Sequence, residues 1–170
     1  MYQYYYVMEY LPTRYEADSS EWENRHEVWN FKDGHCSTRI LNRIIEFIEK
    51  ETSCENKSDY VICFIPASSK IKTRNRYSFL ANELTKRTGI KATLEAIIKT
   101  TDTESGHLCG KSLDPTADYI FNANLFKGYK VILIDDIITR GRTFKDTTRK
   151  LISNGAIDVT GIFVGKTVNL

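Results

Sequence analysis

No apolar run in this chain of 170 residues approaches the length needed to cross a bilayer. The polar, Tyr-rich first residues also lack the apolar segment of a signal peptide. A cytoplasmic protein with no membrane partner is the expectation. Cysteine is sparse: Cys36, Cys54, Cys63 and Cys109 form no Cys-x-x-Cys pair, which argues against a zinc site. His35-Cys36 is the only His/Cys neighbour pair and reads as solvated loop, whereas Cys63 lies in an apolar run as a small core residue. A net charge of +2 is too small to argue for a nucleic-acid partner. There is no internal repeat and no low-complexity tract. No Gly-x-Gly-x-x-Gly follows the first confident strand and there is no P-loop, which argues against the common dinucleotide and nucleoside-triphosphate sites. Nor is there a Ser-His-Asp or Cys-His constellation to supply a nucleophile.

What is present is an ordinary globular composition, 41% hydrophobic, at a length that suits one domain with a proper core. Residues 1–11 read as extended because aromatics favour strands. Residues 12–36 are polar with scattered aromatics and read as loop or short hairpin. Ser37 suits the cap of a helix whose Ile40, Leu41, Ile44, Ile45 and Ile48 recur at helical spacing. The pattern then predicts a strand over 59–65 ending at Pro66, a helix over 76–88 stopped by Gly89, and a strand over 92–98. A long loop over 99–117 and a short helix over 118–126 follow. Last come a strand from Val131, a helix over 143–153 closed by Asn154-Gly155, and a strand over 159–164. Strands and helices alternate from residue 37 onward, which predicts an α/β fold with a parallel, doubly wound sheet.

The most informative stretch is Val131-Ile132-Leu133-Ile134-Asp135-Asp136-Ile137-Ile138-Thr139-Arg140-Gly141-Arg142-Thr143. Four apolar residues suit a strand buried on both faces. They run into two acids, at the strand end where ligands of open α/β sheets sit. Neighbouring carboxylates repel, so such a pair needs a partner, and sugar hydroxyls or hydrated magnesium both suit it. The loop from Thr139 to Thr143 offers backbone N–H groups, two hydroxyls and two guanidinium groups. Its Gly permits a tightly bent backbone, and the helix that starts near Thr143 adds unpaired N–H groups and a positive dipole end. Together these suit a phosphate monoester.

The stretch resembles the phosphoribosyl pyrophosphate (PRPP) signature of the type I phosphoribosyltransferases across almost all of 131–143. Arg140 and Arg142 depart from it, since small or hydroxyl residues are usual there. Arg140-Gly141 is similar to the amidophosphoribosyltransferases, and Gly141-Arg142-Thr143 to the pyrimidine-operon regulators. The 6-oxopurine enzymes carry an Asp where this chain has Thr139, which argues against a purine route needing that base. The layout from Pro66 through Arg74-Asn75-Arg76-Tyr77 loosely resembles the competence-protein-F-like branch, although that branch's Arg-Gly-Phe-Asn and its N-terminal Cys-x-x-Cys are missing.

The resemblance implies the family's fold, with residues 37–170 as the phosphoribosyltransferase core and 1–36 as a hood-like or edge region, within a single domain overall. The aromatics of 1–36 fit either a platform over a flat ligand or the packing of an edge strand. It implies that Asp135 and Asp136 hold the ribose hydroxyls, directly or through Mg2+, and that Thr139, Arg140, Gly141, Arg142 and Thr143 hold the 5′-phosphate. Ser68, Ser69 and Lys70 match the pyrophosphate loop by position. The basic series Lys70, Lys72, Arg74 and Arg76 would align on one side of an extended loop. A flexible loop in the family closes over the reaction centre and often carries a basic residue; Lys99 is the best match by position and Lys111 the second. His107 in the same loop has the pKa range for proton transfer or is simply solvated.

The implied activity is transfer of phosphoribosyl from Mg-PRPP to a nitrogen acceptor, a base or an amine, with release of pyrophosphate. The resemblance also allows a homodimer. Two other classes stay open: a regulator that senses PRPP and binds nucleic acid elsewhere, and a competence-type accessory protein without turnover.

Overall fold

A computed structural model describes residues 1–101 and 114–168. The chain begins with an edge strand, β1 (Gln3–Tyr10), and a helix, α1 (Ser19–Lys32). Helix α2 (Thr38–Glu51), strand β2 (Tyr60–Phe64) and helix α3 (Lys70–Thr88) follow. Two short strands, β3 (Ala92–Thr93) and β4 (Ile97–Lys99), precede β5 (Tyr119–Phe121). The last three elements are β6 (Lys130–Ile138), α4 (Arg142–Ser153) and β7 (Asp158–Thr167). Five strands form one parallel sheet in the order β1-β7-β6-β2-β3, and β4 pairs antiparallel with β5 in a separate ribbon. The architecture is α/β with helices on both faces of a parallel sheet, as the alternation of the sequence implies.

Strand alternation divides the core. Ile62, Phe64, Ile132, Ile134, Ile162 and Val164 face α1, α2 and α3. Val61, Cys63, Val131, Leu133, Val159 and Phe163 face α4. Both faces of β6 are therefore covered, which is why its first half reads as a continuous apolar run. Cys63 is fully buried, and burial pushes its thiol up to about 12.

Several expectations need correction. Residues 12–36 are mostly helix. Asp18 and Glu21 close a reciprocal capping box at the start of α1. The helix was hidden because polar and apolar residues do not segregate on it: Trp22 is exposed and Arg25 is buried. The Arg25 guanidinium donates to the carbonyls of Leu11, Pro12 and Tyr15, which satisfies the buried charge and ties down the turn after β1. Helix α3 begins at Lys70, capped by the Ser69 hydroxyl, so Lys70, Lys72, Arg74 and Arg76 lie around a helix and do not align along one side of a loop.

Residues 92–98 are two strands in different sheets. The Thr93 hydroxyl accepts from the Glu95 N–H, which turns the chain between them. Residues 118–126 contain β5 and a single 3-10 turn over Ala123–Leu125 in place of a helix. Strand β6 also continues through both acids to Ile138 and does not stop before them. No helix among the described residues is long and apolar enough to cross a membrane.

Candidate functional site

The sheet is asymmetric around the acid pair. On one flank, β6 stays paired with β7 as far as Ile138 opposite Lys166. On the other, its pairing with β2 ends at Ile134 opposite Phe64, with a last bond from the Ile65 N–H to the Ile134 carbonyl. The chain of β2 turns away at Pro66, and the flank of Asp135 and Asp136 opens. That gap lies at the carboxyl edge of a parallel sheet, where such sheets take ligands.

Beyond Ile138 the chain turns tightly into α4. Gly141 is the N-cap residue with φ +69° and ψ 16°, a left-handed conformation that other residues adopt only at a cost. No side chain caps the helix. The first N–H groups of α4 therefore point outward without a side-chain acceptor, at the positive end of a helix of 12 residues. Phe144 fixes that first turn. It is buried against Phe163, edge to face, with ring centroids 5.3 Å apart. It also lies over Gly161, where a Cβ would come within 2.8 Å of its ring. The sheet thus leaves a recess at Gly161 that seats α4.

A cavity of about 240 Å3 joins these parts. Its walls are Asp135, Ile137, Ile138, Thr139, Arg140, Gly141, Arg142, Thr143, Phe144 and Phe163. The structure therefore brings Asp135 together with the whole proposed phosphate loop, Thr139 to Thr143. Asp136 is not in this wall. Consecutive strand residues face opposite ways, and Asp136 points to the side of α1 and α3.

The two acids have different surroundings. Asp135 Oδ1 accepts from the Tyr77 hydroxyl at 3.2 Å and from the Asp136 N–H at 2.8 Å. No hydrogen bond from the described residues reaches its Oδ2. Burial, and next the Asp136 charge, push the Asp135 carboxyl well above the usual carboxylate range, against its hydrogen bonds and the Arg76 charge. Burial and the two acids likewise push Tyr77 well up, so it stays a neutral O–H donor. Asp136 Oδ2 is 2.9 Å from Arg76 Nη1 and 3.6 Å from Lys32 Nζ, while its Oδ1 accepts from the Ile137 N–H at 2.6 Å.

Lys70 and Lys99 line a second cavity of about 260 Å3, with Pro66, Thr73, Arg74, Leu94, Glu95, Ile97 and Ile98. Lys99 sits at the end of β4 with Asp118 Oδ2 3.6 Å away. Ser69 is committed to capping α3, and neither Ser68 nor Ser69 lines the two cavities. His107 and Lys111 lie outside the described residues. At His35-Cys36, as elsewhere among the described residues, no three His, Cys, Asp or Glu side chains group to hold a metal.

The partners of the acids, Lys32, Arg76 and Tyr77, were missed as such in the sequence. A signal was there for Tyr77: Thr73, Tyr77, Leu80, Ala81, Leu84 and Thr88 form a buried stripe at helical spacing. Read together with Ser69 as cap, that stripe starts the helix at residue 70 and turns Tyr77 toward the sheet.

No family model matches the chain, and no curated protein matches it. Among solved structures, it is similar to an enzyme described as the allosteric regulatory enzyme of purine biosynthesis, at 20% identity over 81% of this chain with a TM-score of 0.47. The chain spans only 25% of that enzyme's length. It is also similar to an adenine phosphoribosyltransferase from Thermoanaerobacter pseudethanolicus, at 18% identity, 76% of this chain, 70% of that one and a TM-score of 0.46. A hypoxanthine phosphoribosyltransferase from Staphylococcus aureus is similar at 14% identity, 85% of this chain, 74% of that one and a TM-score of 0.46.

Proposed function

We propose that the chain binds PRPP and transfers its phosphoribosyl group to a nitrogen acceptor, with release of pyrophosphate. The observation that carries this reading is the shared cavity: the half-buried Asp135 carboxylate and an uncapped helix N-terminus behind a left-handed Gly141 line the same space. A ribose 5-phosphate needs that pairing, hydroxyls on an acid and a dianion on N–H groups. Thr139, Arg140, Arg142 and Thr143 add hydroxyl and guanidinium donors around the phosphate. In this reading Lys70 and Lys99, which line a second cavity, take the pyrophosphate.

The reaction breaks the bond between the anomeric carbon and a pyrophosphate oxygen. It forms a carbon–nitrogen bond, and the acceptor loses a proton. Charge builds up on the leaving pyrophosphate, while the ribose ring becomes cationic. The chain's contribution is to hold the two ends of the donor and to neutralise the leaving group, so no nucleophilic side chain is needed. Asp135 is a hard oxygen donor, and the residues present fit a magnesium ion bound through one protein carboxylate and the ligand's own oxygens, where it would offset pyrophosphate charge.

Calorimetry with Mg-PRPP tests the reading. The wild type is expected to bind it. Replacing both acids, Asp135→Asn with Asp136→Asn, is expected to abolish binding while inorganic phosphate still binds weakly at the loop. Equal affinity in the double variant would sink the assignment. Release of pyrophosphate on adding a base or amine would identify the acceptor class.

A further inference from the structure

We infer that the acid pair is split by role: Asp135 alone faces the ribose-phosphate ligand and its metal, and Asp136 is a positioning residue that locks β6 to α3 and α1. The inference rests on the PRPP reading for the ligand's identity, but the lock itself does not. Both Asp136 oxygens are already engaged by the protein, through Arg76, Lys32 and the Ile137 N–H. The Asp136 and Arg76 side chains are only 15% and 13% exposed, so water screens this pair little. The same Arg76 donates its Nε to the Lys32 carbonyl at 3.2 Å, which joins α3 to the end of α1. Just beyond, Gly34 passes so close to α3 that a Cβ there would lie 2.4 Å from the Asn75 carbonyl oxygen. Its φ of +93° also favours glycine.

Three elements thus converge on one carboxylate, and the geometry explains why. Where β2 stops, β6 has no strand partner on that flank. A strand end that carries a ligand group needs another restraint there. Arg76 supplies it through Asp136, and Tyr77, the next residue on α3, reaches Asp135 itself at 3.2 Å. Adjacent residues of one helix therefore hold adjacent residues of one strand. By its hold on Arg76 and Lys32, the Asp136 side chain fixes the strand position of its own N–H, which Asp135 Oδ1 accepts. Sugar and metal would then fall to Asp135, which lines the cavity and whose Oδ2 accepts no hydrogen bond from the described residues.

The split is tested with Asp135→Asn, Asp136→Asn, Arg76→Met and the Asp136→Asn/Arg76→Met double variant. The first reading is thermal unfolding without ligand. Asp136→Asn and Arg76→Met are each expected to lower Tm by several degrees, with the double variant falling well short of the sum, as for residues in direct contact. Strict additivity would overturn the lock.

The second reading is PRPP affinity with and without magnesium, taken far below Tm. Asp135→Asn is expected to bring the ratio of the two affinities close to one. Asp136→Asn is expected to keep the wild-type ratio while both affinities fall by about three- to tenfold, the loss expected when a ligand group is misplaced rather than removed. A lost magnesium effect in Asp136→Asn would make it a ligand residue. An unchanged affinity would make it purely structural. Either result overturns the inference. If the wild type binds no PRPP, the proposed function fails, and the Tm cycle still decides whether Asp136 is the lock.

Discussion

At the scale of the residue, Asp135 is a carboxylate placed where folding alone would not choose it. It is half-buried, it neighbours a second acid, and one of its oxygens has no protein donor among the described residues. Its pKa in the folded chain is raised by burial and by the Asp136 charge. The folded state therefore holds a proton that the unfolded state has already released, in the window from the ordinary carboxylate range up to the folded pKa. Stability falls as pH rises through that window. Asparagine keeps the acceptor for Tyr77 and the Asp136 N–H, yet removes the charge. Asp135→Asn should therefore raise Tm at pH 8 by more than at pH 5, while weakening PRPP binding. Thermal unfolding at the two pH values checks this, and a variant less stable than wild type at pH 8 would contradict it. A stabilising substitution that destroys binding marks a group kept for its ligand.

At the scale of the element, the motif strand and its helix were legible because their local chemistry is unambiguous. An apolar run, two acids and a Gly-centred turn admit few structures, and Ser37 and Gly89 marked helix ends in the same way. Other elements were illegible for equally physical reasons. Helix α1 carries its buried cation inward and a tryptophan outward, so no apolar stripe identifies it. Strands β3 and β4 are too short for a pattern, and their separation depends on one threonine hydroxyl. The partners of the acid pair come from α1 and α3, 60 residues away in the case of Arg76, a distance that no local pattern spans. Gly161 is another such position. It lies in β7 opposite Leu133, and only the structure shows that its missing Cβ seats Phe144. Gly161→Ala should push Phe144 and Phe163 off their positions and cost about 1–3 kcal/mol, as overpacking of a filled core does. Because Phe144 follows Thr143 directly, the phosphate loop should shift too. Urea unfolding measures the first effect and titration with inorganic phosphate the second. A full-strength phosphate site in a destabilised variant would separate loop geometry from this contact.

At the scale of the whole molecule, the proposed ligand spans parts that come from different elements. The proposed phosphate loop lies between β6 and α4. The proposed pyrophosphate side is Lys70 at the start of α3, with Lys99 from the separate β4–β5 ribbon. A bound PRPP would bridge both flanks of the gap where β2 leaves β6, so its binding energy adds to the cohesion of the sheet's carboxyl edge. The size of the effect follows from linkage: a ligand at a hundred times its Kd stabilises the fold by about 2.7 kcal/mol. For a chain of this length each kcal/mol moves Tm by roughly 2–4 °C. Saturating Mg-PRPP should therefore raise Tm by roughly 5–10 °C, by the product of those two values. Inorganic phosphate and pyrophosphate, each engaging one flank, should give smaller shifts even when combined. Their two separate associations lose more translational freedom than one tethered donor does. Asp135→Asn should reduce the excess of PRPP over the two fragments, because it removes the ribose contact while the covalent tether between the two ends remains. Differential scanning fluorimetry with the four ligand conditions reads this directly. Equal shifts from PRPP and from its fragments would show that the two cavities act as independent anion sites, and that no single donor molecule bridges them.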